Sequence, residues 1–131
     1  MPISPETLTQ IATDYAAAWS AGDPQAVASF YAETGSIAIN RGDLIEGRAA
    51  VAEMAAGFYA AFPDLVVRCD GVRYAGDHAI FLWTLEGHHA ETGNPVVAAG
   101  WEEWDLDENG KVRRSLGWFD AVDYDRQIQG A

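Results

Sequence analysis

Several places in this 131-residue chain set proton-handling groups beside apolar ones. In SLGWFDAVDYDRQIQG (115–130), Asp120 directly follows Leu116, Trp118 and Phe119. Strand alternation predicts Leu116, Trp118 and Asp120 on one face and Ser115, Gly117 and Phe119 on the other. Burying an unpaired carboxylate is costly, so such a residue is paired, protonated, near water or there to do chemistry. Its structural reading is a strand-end carboxylate that touches solvent or pairs with Arg114 or Arg126. Glu102 and Glu103 are adjacent in a strand-like run and must point to opposite faces. For Glu102 the plain reading is an ion pair with a strand neighbour such as Arg73. His88 and His89 likewise face opposite ways. Tyr15 shares a helical stripe with Trp19, where a core tyrosine is the simplest account.

Other chemistries find no support. Two neighbouring histidines without converging further ligands are no metal signature. The chain has no Gly-rich phosphate loop, no Gly-x-Ser-x-Gly elbow and no Cys/His nucleophile pair. Neither a metal nor a cofactor is expected. The single cysteine, Cys69, alternates with Val67 and Leu65 and reads as a small core residue, with no intramolecular disulfide possible.

These groups must be positioned by elements that the pattern outlines. Leu8, Ile11, Tyr15 and Trp19 recur at helical spacing over about Pro5 to Ala21, with Ser4 as cap. Asp23 and Pro24 suit the start of a second helix, to about Tyr31. A short extended pair, GSIAI and LIEG, flanks a polar turn at Asn40 to Asp43. A third helix, about Arg48 to Ala61, puts Val51, Met54, Ala55, Phe58 and Phe62 on one face, and Pro63 ends it. LVVRCDGVRYA, HAIFLWTLEGHH, PVVAAGWEEWDLD and KVRRSLGWFDAV then read as strands, with turns at 75–77 and 107–110. Helices first and antiparallel strands later predict a single α+β domain whose curved sheet encloses a cavity on its concave side. Trp83, Trp104 and Trp118, with Trp19, Phe58 and Phe62, are the candidate walls and substrate-binding residues of that cavity. They would suit a flat, apolar or aromatic ligand, and ordinary core packing is their alternative role.

The composition excludes other classes. With 49% hydrophobic residues and five each of Phe, Tyr and Trp, the chain can bury one core. Twenty acidic against eight basic residues give a net charge of −12, which repels nucleic-acid backbones and anionic membranes. MPISPETLTQ lacks the basic start and apolar run of a signal peptide. No apolar run approaches the roughly 20 residues of a membrane span, so a soluble, cytoplasmic protein is expected.

YAAAWSAGDPQAVASFYAETGSI resembles the opening helices of the nuclear transport factor two-like superfamily. IEGRAAVAEMAAGFYAAFPDL, GHHAETGNP, DENGKV and WFDAVDYDRQIQG are similar to its SnoaL-like polyketide cyclase branch. The resemblance covers nearly the whole chain. It implies a conical α+β barrel of mixed, mainly antiparallel sheet on three N-terminal helices, often a homodimer through the outer sheet face. Trp101, opposite in parity to Glu102, would then cover that outer face. For Asp120 the resemblance implies a general acid/base in cofactor-free aldol-type cyclisation of an oxo-substituted ring or polyketide-like substrate. A carboxyl in an apolar cavity suits that role, because its pKa is raised toward working pH. His89 matches a histidine position of that branch. A weaker resemblance to steroid isomerases places Glu102 as an acidic hydrogen-bond donor and Tyr15 as a tyrosine donor, both polarising a carbonyl oxygen. The general-base position of those enzymes falls near Ile39, which cannot accept a proton, and a shift of one residue gives Asn40, which cannot either. The alternative is a non-catalytic ligand-binding or dimerisation domain in which Asp120 is structural.

Overall fold

The computed structural model describes residues 3–131. Helix α1, Pro5–Ser20, starts where the Ser4 side chain accepts from the Thr7 N–H. It buries the stripe Leu8, Ala12, Tyr15, Ala16 and Trp19. Asp23 caps the five-residue α2, Pro24–Ala28, by accepting from the Gln25 and Ala26 N–H groups. The helix expected to reach Tyr31 stops short, and the chain enters strand β1, Tyr31–Ile39. This moves Tyr31 from a helix end into the sheet. Strand β2 is Ile45–Glu46, and α3, Arg48–Ala61, buries Val51, Ala52 and Ala55. Phe62, before Pro63, leaves the helical region with φ −135°.

The remaining strands are β3 (Val66–Ala75), β4 (His78–His88), β5 (Pro95–Leu106) and β6 (Val112–Phe119). With β1 and β2 they form one curved, unclosed sheet in the order β2-β1-β6-β5-β4-β3. β1 runs parallel to β6, and every other pair is antiparallel. β5 carries the alternation that sets the two faces. Val96, Ala98, Glu102, Trp104 and Leu106 are buried beneath the helices, while Val97 and Trp101 are exposed on the other side. Tyr15 joins the layers, making edge contacts with Phe30, Phe81 and Trp104 at centroid distances of 5.3–5.4 Å. Each such pair contributes about 0.5–1.5 kcal/mol beyond area burial.

The end of the chain departs from the expected strand. β6 stops at Phe119, and residues Ala121–Gln129 form a fourth helix, α4. Asp120 is its N-cap, with the carboxylate accepting from the Asp123 N–H at 3.0 Å. Asp123 lies in its first turn, Arg126 in its last, and Gly130 closes it in the left-handed conformation at φ 78°. The helix fills a gap in the sheet. β5 pairs with β6 only from Gly100 onward, so its start has an open edge. There the Gln127 amide accepts the Val97 N–H at 2.7 Å and donates to the Val97 carbonyl at 2.9 Å, as a strand residue would.

Candidate functional site

Glu102 lies on the inner face of β5, only 6% exposed. Its Oε1 accepts from Trp104 Nε1 at 2.9 Å and from the Ser115 hydroxyl at 2.8 Å. The Tyr15 hydroxyl is 3.2 Å from both carboxyl oxygens, and that of Tyr31 is 3.3 Å from Oε1. Those two hydroxyls also bond each other at 2.8 Å. That contact uses one phenol proton, so a single phenol proton remains for Glu102.

Four elements therefore converge on one carboxyl group. Two-residue spacing in β5 puts Trp104 beside it, cross-strand neighbours in β6 bring Ser115, α1 supplies Tyr15, and β1 supplies Tyr31. Burial pushes the Glu102 carboxyl above its ordinary range, and bonds from Trp104, Ser115, Tyr15 and Tyr31 offset part of that shift. Tyr15 and Tyr31 are raised well above the usual tyrosine value, first by burial and then by the Glu102 charge. No partner of Glu102 is a cation, so the expected ion pair with Arg73 does not form; Arg73 is exposed on β3.

Glu102 also borders a cavity of about 60 Å³ between sheet and helices. Its walls are apolar and largely aromatic: Trp19, Phe58, Phe81, Trp83, Phe119 and Tyr124, completed by aliphatic residues that include Ile39 and Met54. Among the described residues, the lining holds one carboxyl and no lysine, arginine or histidine. A larger concavity, about 490 Å³, lies among Arg73, His78, Asp105 and Arg114. Asp105 there is already held by Arg114 at 3.3 Å and by His78, so the apolar cavity beside Glu102 is the better ligand site.

The structure brings together only part of the expected constellation. Tyr15 and Glu102 meet, and Trp19, Phe58 and Trp83 line the cavity. Trp104 is a support for Glu102, stacked on Phe81, and is absent from the lining. Phe62 is fully buried one layer further out, against His89 and Tyr124. Trp118 is a correction: it sits directly opposite exposed Trp101 and therefore on the outer face, with Arg41 over its ring at 5.7 Å. The inner residues of β6 are Ser115, Gly117 and Phe119, the reverse of the expected parity.

Asp120 is the second correction. It is exposed, caps α4, and does not line the cavity, so no apolar burial acts on it. His89 lies just past β4, with its Nδ1 accepting from the Thr92 N–H at 3.4 Å, and it too is outside the lining. His88 is exposed and bonded to Asp64, whose carboxylate it holds below the ordinary range. Asn40 is spent on the backbone, accepting the Phe119 N–H at 2.9 Å. Sequence reasoning missed Tyr31 and Ser115, which complete the Glu102 shell, and Tyr124, which reaches the cavity from α4. Parity along β6 separates Ser115 from Trp118, but only the pairing with β5 turns Ser115 inward.

A model of the SnoaL-like domain matches residues 12–115. The chain belongs to the SnoaL-like domain family. Two solved structures share the SnoaL-like architecture across nearly all of this chain. One is a hypothetical protein with a ketosteroid isomerase-like fold from Catenulispora acidiphila DSM 44928, in complex with trimethylamine. It is 20% identical, with a TM-score of 0.84, and the match covers 97% of this chain and 95% of that one. The other, from Jannaschia sp. CCS1, is named for SnoaL-like polyketide cyclases; it is 16% identical, with a TM-score of 0.82, covering 100% and 99%. At these identities the likeness shows the fold. No curated protein matches the chain. No helix among the described residues is long and apolar enough to cross a membrane.

Proposed function

We propose that this SnoaL-like domain binds a small molecule in the apolar cavity, and that Glu102 exchanges a proton with it in cofactor-free acid/base chemistry. The observation that carries this reading is the placement of one buried carboxyl, held by neutral donors, at the edge of an otherwise apolar space. Desolvation brings such a group's pKa toward working pH, where it can both give and take a proton. An aldol-type cyclisation or isomerisation would use it in that way, with Tyr15 as neighbouring donor. Asp120 has no part in this reading, because its carboxylate is engaged as a helix cap in solvent.

The volume favours a small ligand. Drug-sized ligands occupy roughly 300–1,000 Å³, and benzene fills an engineered apolar cavity of about 150 Å³. A cavity of about 60 Å³ thus suits a molecule of fewer heavy atoms than benzene. Trimethylamine, present in the Catenulispora protein, is of that size. A second reading, binding without catalysis, is favoured by Ile39: the place of a steroid-isomerase base is held by an aliphatic lining residue. We also propose a homodimer through the outer sheet face, where Leu82, Trp101 and Trp118 form one cross-strand row with Trp101 40% exposed.

The test is a carboxyl-carbon NMR titration of the wild type beside Glu102→Gln, which assigns Glu102 by the signal that vanishes. The expected result is a Glu102 pKa above the ordinary value of about 4.3. A value at or below it would end the acid/base reading.

A further inference from the structure

We infer that the ligand is a small organic cation, an alkylammonium whose charge meets the Glu102 carboxylate and whose alkyl groups meet the aromatic walls. This inference rests on the reading that Glu102 faces the ligand, and it fixes the ligand's charge class; an alkylammonium has no carbonyl for an aldol step, so the proton exchanged with Glu102 is that of its N–H.

Three features point to a cation. First, the ionised carboxyl has no counter-charge. Its partners are Tyr15 from α1, Tyr31 from β1, Ser115 from β6 and Trp104 from its own strand, all neutral donors. A buried carboxylate without a cation keeps most of its desolvation penalty, and a bound ammonium would remove it. Second, the carboxyl keeps room for one more donor. Oε1 takes the Trp104 and Ser115 protons at 2.9 and 2.8 Å, whereas Oε2 has only the shared contact of Tyr15 at 3.2 Å. An N–H of the ligand would complete Oε2. Third, Trp19, Phe58, Phe81, Trp83, Phe119 and Tyr124 line the same cavity as Glu102, so a ligand seated there meets aromatic rings as well as the carboxyl. Aromatic rings attract a desolvated ammonium, and no lysine or arginine of the described lining competes for them. The net charge of −12 adds a long-range field that favours approach of cations over anions.

A neutral carbonyl of equal size would use the same site in the opposite protonation state. It accepts a hydrogen bond from the protonated carboxyl, so its affinity falls as Glu102 ionises. An ammonium binds the carboxylate, so its affinity rises with pH, up to about tenfold per pH unit below the pKa of Glu102. Tyr15, Tyr31 and the cavity-lining Tyr124 are all raised above the usual tyrosine value and stay protonated across this range, so the carboxyl is the group at the pocket that changes charge.

Trimethylammonium chloride and acetone, matched in heavy atoms, separate the cases. Each is titrated into wild type and Glu102→Gln from about pH 4 to about pH 8, a span that starts at the ordinary carboxyl value and covers the range above it, following the indole signals of Trp19 and Trp83. Trp101 on the outer face serves as the surface control, in about 150 mM salt to screen exposed charges. The expected result is trimethylammonium affinity that rises with pH and drops at least tenfold in Glu102→Gln, with acetone binding more weakly. Acetone binding more tightly, or trimethylammonium affinity that is flat or falls with pH in the wild type, overturns the cation and leaves the pocket reading standing. Neither probe moving Trp19 or Trp83 overturns both. The wild-type pH trend decides the matter even if Glu102→Gln fails to fold.

Discussion

Replacing Glu102 by alanine and by glutamine separates its hydrogen-bonding role from its charge. Alanine leaves three donors without an acceptor: the Trp104 N–H, the Ser115 hydroxyl and one phenol of the Tyr15–Tyr31 pair. An orphaned buried donor costs about 1–3 kcal/mol, although the hydroxyls can turn and the indole cannot. With the void left by the side chain, Glu102→Ala should lose roughly 3–5 kcal/mol. That is a large share of the roughly 5–15 kcal/mol that holds an ordinary domain. Glutamine keeps an oxygen for Trp104 and Ser115 and presents an amide N–H to the Tyr15 oxygen. It should cost less than about 1.5 kcal/mol near pH 5.

The charge shows in the pH dependence. Because burial raises the folded carboxyl above its unfolded value, the unfolded chain releases the proton first as pH rises. Wild-type stability relative to Glu102→Gln should therefore be highest below about pH 4.3 and fall as pH rises to the folded pKa, by at most about 1.4 kcal/mol per unit. Urea unfolding of both proteins across this range measures the difference directly. A difference that is flat, or that grows with pH, would show that the carboxyl is not desolvated and would refute the reasoning.

Other expectations follow from single contacts. Asp120→Ala should cost about 1 kcal/mol in thermal unfolding through loss of the α4 cap, with Asp120→Asn within a few tenths; the Glu102 titration should be unaffected by either. Gly100→Ala should cost about 2–3 kcal/mol, because a Cβ there would run into the Trp118 carbonyl oxygen and come within 2.7 Å of the Trp83 ring. Near-ultraviolet circular dichroism should report the displaced indole. Gln127→Ala removes both bonds to Val97 and should speed hydrogen exchange at the Val97 amide, with a stability loss of about 1–2 kcal/mol. Under the proposed dimer, wild type should run as a dimer and Trp101→Glu as a monomer in light scattering, with the pocket intact because Trp101 faces away from Glu102; a monomeric wild type refutes the dimer.

The sequence by itself determined the class and much of the frame. Helical spacing of Leu8, Tyr15 and Trp19, the caps Ser4 and Asp23, and Pro63 after α3 act within a few residues, so their effects are local and legible. Alternation in β5 likewise put Glu102 and Glu103 on opposite faces, and Glu103 indeed turns away, accepting from Trp101. The end of β6 shows where local pattern divides. WFDAV is apolar enough for a strand, yet Asp120, Asp123 and Gly130 carry the punctuation of a short helix, and the unpaired edge at Val97 gives that helix a place to dock.

Only the tertiary structure decided which face was the inside and which carboxyl was buried. Parity along β6 relates Leu116, Trp118 and Asp120 to one another, but it carries no sign; the pairing of Trp118 with Trp101 and of Ser115 with Trp104 supplies it. The Glu102 site joins Tyr15, Tyr31 and Ser115 from 87, 71 and 13 residues away. No local spacing encodes such a convergence. It arises because the sheet's register and the packing of α1 bring those hydroxyls to one buried oxygen pair, where their bonds are strongest and an unmet carboxyl would be most costly.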